Sequence, residues 1–365
     1  MKNRKVVLSI DYEIFGDGSG DVRQHMINPT ERMARICEKH GVALTVFFEV
    51  EEYLAFVRER EILKRKLGYD PAEEVRHQAC DLIRRGHDMQ LHLHPEWVGA
   101  VYEKEQWRLK REMRTVDSLF DTQDKITQYI AERKAVIDGL YQQVDSKQRV
   151  SAFRAGAFCA QPGRKLLRGL ADNGIIIDSS LVKGMVTENE HMDLDYSNAP
   201  DNRRHWRVKD DVACENTEGQ LFEVPIYSRM GRRIQQLTPW RILAKLSYNI
   251  PRARKLEIIN ELGIGRTPAS VIQFLLRRFP IKLDFHNMSS NQMLRWISDP
   301  GPVPDGDLDV IVLIGHSKEH RDDCIFDRLL SGIKSNTDID IISMNKVGEL
   351  LEGMLMRGNT SSDLH

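Results

Sequence analysis

The chain has no Cys-x-x-Cys pair, no long apolar run and no surplus of charge of either sign, and each absence removes a class of protein. Its five cysteines, Cys37, Cys80, Cys159, Cys214 and Cys324, are scattered and odd in number, which argues against a disulfide framework and against a thiolate zinc cluster. They fit a reducing compartment. The start, Lys2-Asn3-Arg4-Lys5, is basic like that of a signal peptide, but the apolar run after it lasts five residues and then meets Asp11. That is too short for an export signal or a membrane span, so a cytoplasmic location is expected. The formal net charge of -1 gives no whole-molecule attraction to nucleic acid. There is no internal repeat and no low-complexity segment, and only 358–365 reads as a disordered tail. What is present is an ordinary globular composition, 41% hydrophobic and 29% charged over 365 residues, enough for one large α/β domain with insertions or for two domains.

Short runs rich in β-branched and aromatic residues alternate with helical patterns. Strands are expected at 6–10, 43–48, 88–93, 151–153, 175–177, 221–226, 309–314 and 339–342. Helices are expected at 29–40, with Met33, Ile36 and Cys37 on one face, and at 71–85, with Val75, Ala79, Leu82 and Ile83 at three-to-four spacing. Strand–helix alternation means parallel strands joined by crossovers. The expected fold class is α/β, a distorted (β/α) barrel of about seven or eight mostly parallel strands with helical insertions, one domain over residues 1–357. Two stretches interrupt the alternation. Residues 102–147 are highly charged, carry Trp107, Val116, Ile126, Ile130, Ile137 and Leu140, and read as a long helix or helical hairpin outside the barrel. Residues 229–300 read as a basic helical insertion, with cations from Arg229 to Lys282 opposed only by Glu257 and Glu261. Such a block can grip an anionic substrate or rest on an anionic membrane surface. Its charges can equally be a merely solvated face. No nucleic-acid-reading motif accompanies them.

The most informative stretch is Gly86-His87-Asp88-Met89-Gln90-Leu91-His92-Leu93-His94-Pro95-Glu96-Trp97. In an extended chain side chains alternate, so His92 and His94 share a face while Leu91 and Leu93 turn to the apolar layer. The first strand ends in Asp11-Tyr12-Glu13, two carboxylates that also share a face. One carboxylate with two imidazoles is a three-ligand set for a divalent ion of the zinc kind, with positions left open, and the other carboxylate is free to act as a base. The bland alternative is a pair of half-exposed histidines before a loop. Asp11 is harder to dismiss, because an acid after an apolar run needs a partner or a site. Arg154, Asp178 and His316 also stand at the ends of expected strands, where barrels of this type build active sites. Singly, Arg154 reads as well as a buried ion-pair partner, and His316 as a core or capping histidine. His286 alternates with Asp284 and is given a structural role, while His87 and Glu96 flank the site.

Taken in order, these residues resemble a known family. The paired acids after Ser9-Ile10, the Gly86–His94 segment, Phe153-Arg154-Ala155-Gly156-Ala157-Phe158, Ile177-Asp178-Ser179-Ser180, Glu223-Val224-Pro225 and Leu313-Ile314-Gly315-His316 look like the motifs of the polysaccharide deacetylase, or NodB-homology, family. Within it the chain is most similar to the WbmS- or WalW-like bacterial branch associated with surface-polysaccharide gene clusters. The resemblance implies a metal-dependent hydrolase that removes an N-acetyl or similar N-acyl group from an amino sugar, including anionic ones carried on a nucleotide or a lipid. It implies Asp11 as catalytic base, Glu13, His92 and His94 as ligands of a divalent metal with Zn²⁺ expected, Arg154 as the residue that fixes the base, His316 as acid, and Asp178 as the support of His316. Two departures stand out: Tyr12 separates the two acids, which are commonly adjacent in the family, and one residue instead of three separates the histidines. A different barrel hydrolase, amidohydrolase-like or a phosphoesterase, is suggested by His-x-His, although in the amidohydrolase pattern that pair closes the first strand. A catalytically silent carbohydrate-binding member is permitted by the altered motifs.

Overall fold

The computed structural model describes residues 4–189, 192–236 and 267–362. The chain opens with β1 (Arg4–Tyr12), α1 (Asn28–Lys39), β2 (Thr45–Glu49), α2 (Val50–Arg58), α3 (Arg60–Leu67), α4 (Pro71–Arg84) and β3 (Asp88–Leu93). α4 begins where the Asp70 carboxylate accepts the Glu73 N–H and Pro71 fills the first turn, and it buries Val75, Ala79, Leu82 and Ile83 as its spacing requires. There follow a hairpin, β4 (Val101–Glu103) and β5 (Gln106–Arg108), then α5 (Gln123–Gln143), β6 (Ala152–Ala155), α6 (Arg164–Asp172) and β7 (Ile177–Asp178). A second hairpin, β8 (Val186–Asn189) and β9 (Met192–Asp195), precedes β10 (Trp206–Val208) and β11 (Leu221–Glu223). The ribbon β12 (Ser228–Arg232) and β13 (Arg278–Lys282) encloses α7 (Pro268–Leu276), and the chain ends with α8 (Ser290–Ser298), β14 (Val310–His316), α9 (Asp323–Lys334), β15 (Ile339–Ile341) and α10 (Met344–Ser362).

One nine-stranded sheet runs β10-β11-β7-β6-β3-β2-β1-β14, with β15 beside β1. Its pairings are parallel except β10 with β11. The sheet curls until Ile226, just beyond β11, bridges Val312 of β14, and Asp284, just beyond β13, bridges Ile314. This is the distorted, mostly parallel (β/α) barrel that the alternation of the sequence implies.

Strand alternation divides the side chains between two layers. Val6, Leu8, Ile10 and Tyr12 of β1, with Met89, Leu91 and Leu93 of β3, join the large apolar cluster shared with the surrounding helices. Val7, Phe47, Ala152, Ile177 and Val312 form a separate cluster inside the curl, closed by Met344, Val347 and Leu351 of α10. The next inward positions along the same strands are Ser9, Asp11 and Glu13, then Glu49, His92 and His94, Arg154, and His316. The apolar floor therefore gives way to a polar upper layer at the strand ends.

Three expectations are corrected. The stretch 102–147 is α-helical only from Gln123, after one 3-10 turn at Val116–Ser118; it starts as a hairpin that turns on Lys104 and Glu105, both in the left-handed region at φ 48° and 65°. The basic insertion 229–300 is not purely helical: its described residues hold the β12–β13 ribbon as well as the helices α7 and α8, and 237–266 lie outside the described residues. α10 continues to Ser362, into the stretch expected to be a tail, while 363–365 lie outside the described residues. β10 was not anticipated from the sequence at all. No helix among the described residues is long and apolar enough to cross a membrane.

Candidate metal and active site

Glu13, His92 and His94 are buried together, with ligand atoms within 4.8 Å of one another. Glu13 Oε2 lies 2.8 Å from His94 Nε2 and 3.6 Å from His92 Nε2. What the far side of each ring touches fixes its chemistry. His92 Nδ1 is 2.8 Å from the Arg154 carbonyl, which can only accept, so Nδ1 carries the proton and Nε2 the lone pair. That Nε2 is buried without a hydrogen-bond partner. His94 Nδ1 is 3.1 Å from Glu96 Oε1, which also accepts from Arg114 at 2.9 Å. Its Nε2 meets Glu13 Oε2, and Glu13 and Glu96 outweigh burial to raise the His94 pKa well above its usual value. With that proton displaced, two imidazoles and one carboxylate form a donor set that fits a divalent cation of the zinc kind.

Asp11, Glu13 and His316 also converge within 4.8 Å, but Asp11 is committed on one side. Arg154 Nη1 donates to Asp11 Oδ1 at 2.7 Å, and its other nitrogens donate to Ser9 Oγ and to the Ser179 carbonyl, both at 3.0 Å. The guanidinium rests 3.9 Å from the centre of the Phe47 ring. Asp11 Oδ2 stays open, 3.5 Å from His316 Nε2 and 4.0 Å from His92 Nε2. β1 and β14 pair in parallel with Asp11 opposite His316, so the sheet itself sets this distance.

The field matches the geometry. Burial works to raise the Asp11 pKa, but Arg154, then His92 and His316, override it and hold the carboxyl below its usual value. Glu13 is likewise opposed by burial and held well below the carboxylate range by Lys318 and His94. Lys318 Nζ donates to Glu13 Oε1 at 2.6 Å, which leaves Oε2 to the imidazoles. Burial disfavours the charged form of His316, yet Glu319 and Asp11 outweigh it and raise its pKa. Behind His94, Glu49 Oε1 accepts the His94 N–H at 2.8 Å while the same carboxyl caps the start of α2.

Seven residues were singled out for the site, and six meet here: Asp11, Glu13, His92, His94, Arg154 and His316. Asp178 does not. Ile177 faces the inner cluster and Ser179 meets Arg154, so Asp178, between them, turns to the opposite side of the sheet. It accepts the Ser180 N–H at 2.7 Å and is hydrogen-bonded to Glu223. The support expected of Asp178 falls to Glu319, whose Oε2 lies 3.5 Å from His316 Nδ1. Glu319 and Lys318 escaped the sequence reading, although both follow His316 in one short 3-10 turn. Glu49 also escaped, although it ends an apolar strand as Asp11 does. His87 is structural, receiving the Leu44 N–H at 3.0 Å, and His286 packs on Phe285 and His320.

No family model matches the chain, and no curated protein matches its sequence. Among solved structures it is similar to a protein described as a polysaccharide deacetylase from Mycobacterium smegmatis, with a TM-score of 0.46 and 13% identity over 96% of this chain and 91% of that one. It is similar to a family 4 carbohydrate esterase from Streptomyces lividans, solved in complex with acetate, with a TM-score of 0.38 and 10% identity over 95% and 97% of the two chains. A 4-alpha-glucanotransferase from Thermococcus litoralis gives a TM-score of 0.49 and 11% identity over 95% of this chain and 40% of the other.

Proposed function

We propose that the chain is a metal-dependent hydrolase that removes an N-acetyl or similar N-acyl group from an amino sugar in surface-polysaccharide biosynthesis, a WbmS/WalW-like member of the polysaccharide deacetylase family. The observation that carries the reading is the orphaned, tautomer-fixed His92 Nε2 facing Glu13 and His94, with Asp11 ionised beside them. A divalent ion held by Glu13, His92 and His94, Zn²⁺ in this reading, supplies Lewis-acid polarisation of an amide carbonyl and acidifies water. The chain's own groups do the rest. Asp11 takes the proton of the attacking water at Oδ2, because Oδ1 is bound to Arg154. His316, kept charged by Glu319 and Asp11, gives a proton to the departing amine as the C–N bond breaks, a general-acid contribution of about 10²–10⁴-fold. Acetate and a free amine result. The turn Gly156–Phe158 lies against His94 and offers backbone N–H groups to the oxyanion. We further propose a cytoplasmic enzyme acting on a sugar nucleotide or lipid-linked sugar, without nucleic acid as a partner. Exposed Met230, Ile234 and Ile272 among the arginines of the basic insertion suit contact with the inner membrane face.

The test is bound metal per chain and acetate release from N-acetylated amino sugars. Wild type should hold one ion, His92→Ala should lose it, and Asp11→Asn should keep it while activity falls at least about a hundredfold. Full metal in His92→Ala would falsify the ligand set. One contact favours a second reading, a catalytically silent carbohydrate-binding protein: the Lys318 ammonium on Glu13 is a cation already in place. Wild type free of both metal and acetate release would establish that reading instead.

A further inference from the structure

A cavity of about 430 Å³ lies apart from the catalytic cluster and shares no residue with it. It opens between Lys183, the loop carrying Arg203 and Arg204, the approach to β12 at Tyr227 and Arg229, and Pro300. Four of its lining residues are cations and one, Asp201, is an acid. Arg203 is neutralised by Asp307 at 2.9 Å and Glu215 at 3.1 Å. Arg204 shares a carboxylate with another arginine, and Lys183 and Arg229 are held by carbonyls and a hydroxyl. Lys183 gives its ammonium protons to the carbonyls of Pro200, Asp201 and Arg203. Buried Arg204 donates to the carbonyls of Pro300 and Gly301, and its Nε is 3.6 Å from Asp309, a carboxylate already bound by Arg4 at 2.8 Å. Arg229 donates to the Tyr227 hydroxyl and to the Asp299 carbonyl. Among the described residues no carboxylate forms an ion pair with Lys183 or Arg229.

Carbonyls orient a cation without cancelling it, and a cation withdrawn from water without counter-charge is costly. Burial and then Arg204 push the Lys183 pKa down to about 8, against the more distant pull of Asp201 and Glu223. The guanidinium groups of Arg204 and Arg229 both lie near the Tyr227 ring, at 5.2 and 5.8 Å from its centre. Paired, oriented guanidiniums suit phosphate oxygens better than a point charge does. The volume falls in the range of roughly 300–1,000 Å³ usual for small-molecule sites, which leaves room for a group attached to the phosphate. We propose that this cavity binds a phosphate-bearing ligand, the phosphoryl group lying among Lys183, Arg204 and Arg229. The site is independent of the deacetylase reading, because none of its residues enters that chemistry.

The experiment titrates the full chain with inorganic pyrophosphate by calorimetry, and in parallel with phosphatidylglycerol and phosphatidylcholine vesicles by co-sedimentation. Arg229→Gln and Lys183→Gln are compared with wild type and with Asp11→Asn, each checked for native circular dichroism. Saturable pyrophosphate binding, weakened at least tenfold in both cavity variants and unchanged in Asp11→Asn, is the expected result and points to a soluble ligand. Binding confined to phosphatidylglycerol vesicles, and weakened in the same two variants, also supports the site and makes a lipid headgroup the source. No binding of either probe, equal binding by the cavity variants, or loss in Asp11→Asn overturns it.

Discussion

Arg154 reaches no solvent, yet each part of it has a neighbour: Phe47 beneath the guanidinium, Ser9 and Ser179 at its flanks, and Asp11 at its tip. It couples the apolar floor to the Asp11 carboxylate, and it is where a buried charge is matched by a charge instead of by water. The carboxyl pair behind the sheet has the opposite character. Burial raises the pKa of Asp178, and burial followed by the Asp178 charge raises that of Glu223 well above the usual value, so the two share a proton. A raised folded pKa means that the folded chain keeps a proton which the unfolded chain has released. The pair's contribution is thus complete below the ordinary carboxylate pKa and is lost as pH rises through the elevated one. The pair's share of wild-type stability should therefore fall as pH rises from the ordinary carboxylate range through the elevated pKa. Glu223→Gln should flatten that slope, as read from urea midpoints across the range, and an unchanged slope would exclude the shared proton. At this scale the sequence was legible wherever an acid or imidazole interrupts apolar alternation, as at Asp11 and His92. It was silent on Glu319, whose partnership with His316 depends on how one short turn folds back.

Between β6 and α6 the chain takes a route that few side chains tolerate. Ala157 and Phe158 both have positive φ, 51° and 62°, without being glycine. Gly156 before them is constrained by space: a Cβ there would stand 2.6 Å from His94 Cγ. Gly156→Ala should push the His94 ring from its place and weaken metal binding by about 10–100-fold, the scale of a disturbed supporting contact. Metal titration should reveal this with the circular dichroism unchanged, and wild-type affinity would show that the ring has room to move. The barrel strands were readable because each is an apolar run bounded by polar turns, and eight of the expected runs lie in the sheet. β10 was missed because Trp206-Arg207-Val208 is too short to show a period. The β4–β5 hairpin was missed because its turn sets Lys104 and Glu105 at positive φ, where the usual sign is Asn-Gly. Its charged residues read instead as an exposed helical face.

Across the whole molecule, one alternation produces both the scaffold and the site. Odd-numbered residues of β1 from Val7 inward meet first the apolar plug and then the polar cluster, while the even-numbered ones hold the helices. α10 seals the lower end through Met344, Val347 and Leu351. Leu351 is fully buried there, so Leu351→Ala should cost about 2–5 kcal/mol. Thermal or urea denaturation would measure that loss, and metal content per folded chain should stay at the wild-type level, because the seal and the ion lie at opposite ends of the curl. The distorted barrel was legible at this scale from strand–helix alternation alone. The seal was not, because nothing in the periodicity of the last helix says which opening it covers.

The pairing of β1 with β14 sets an order on synthesis. Glu13, His92 and His94 have all been synthesised once residue 94 is made, whereas Arg154 follows later and His316 much later. Until the strand bearing His316 arrives, one edge of β1 has no neighbour. A growing chain can thus hold the Glu13–His92–His94 cluster long before it holds His316, and β14, which covers that edge of β1, also delivers the last residue of the candidate site.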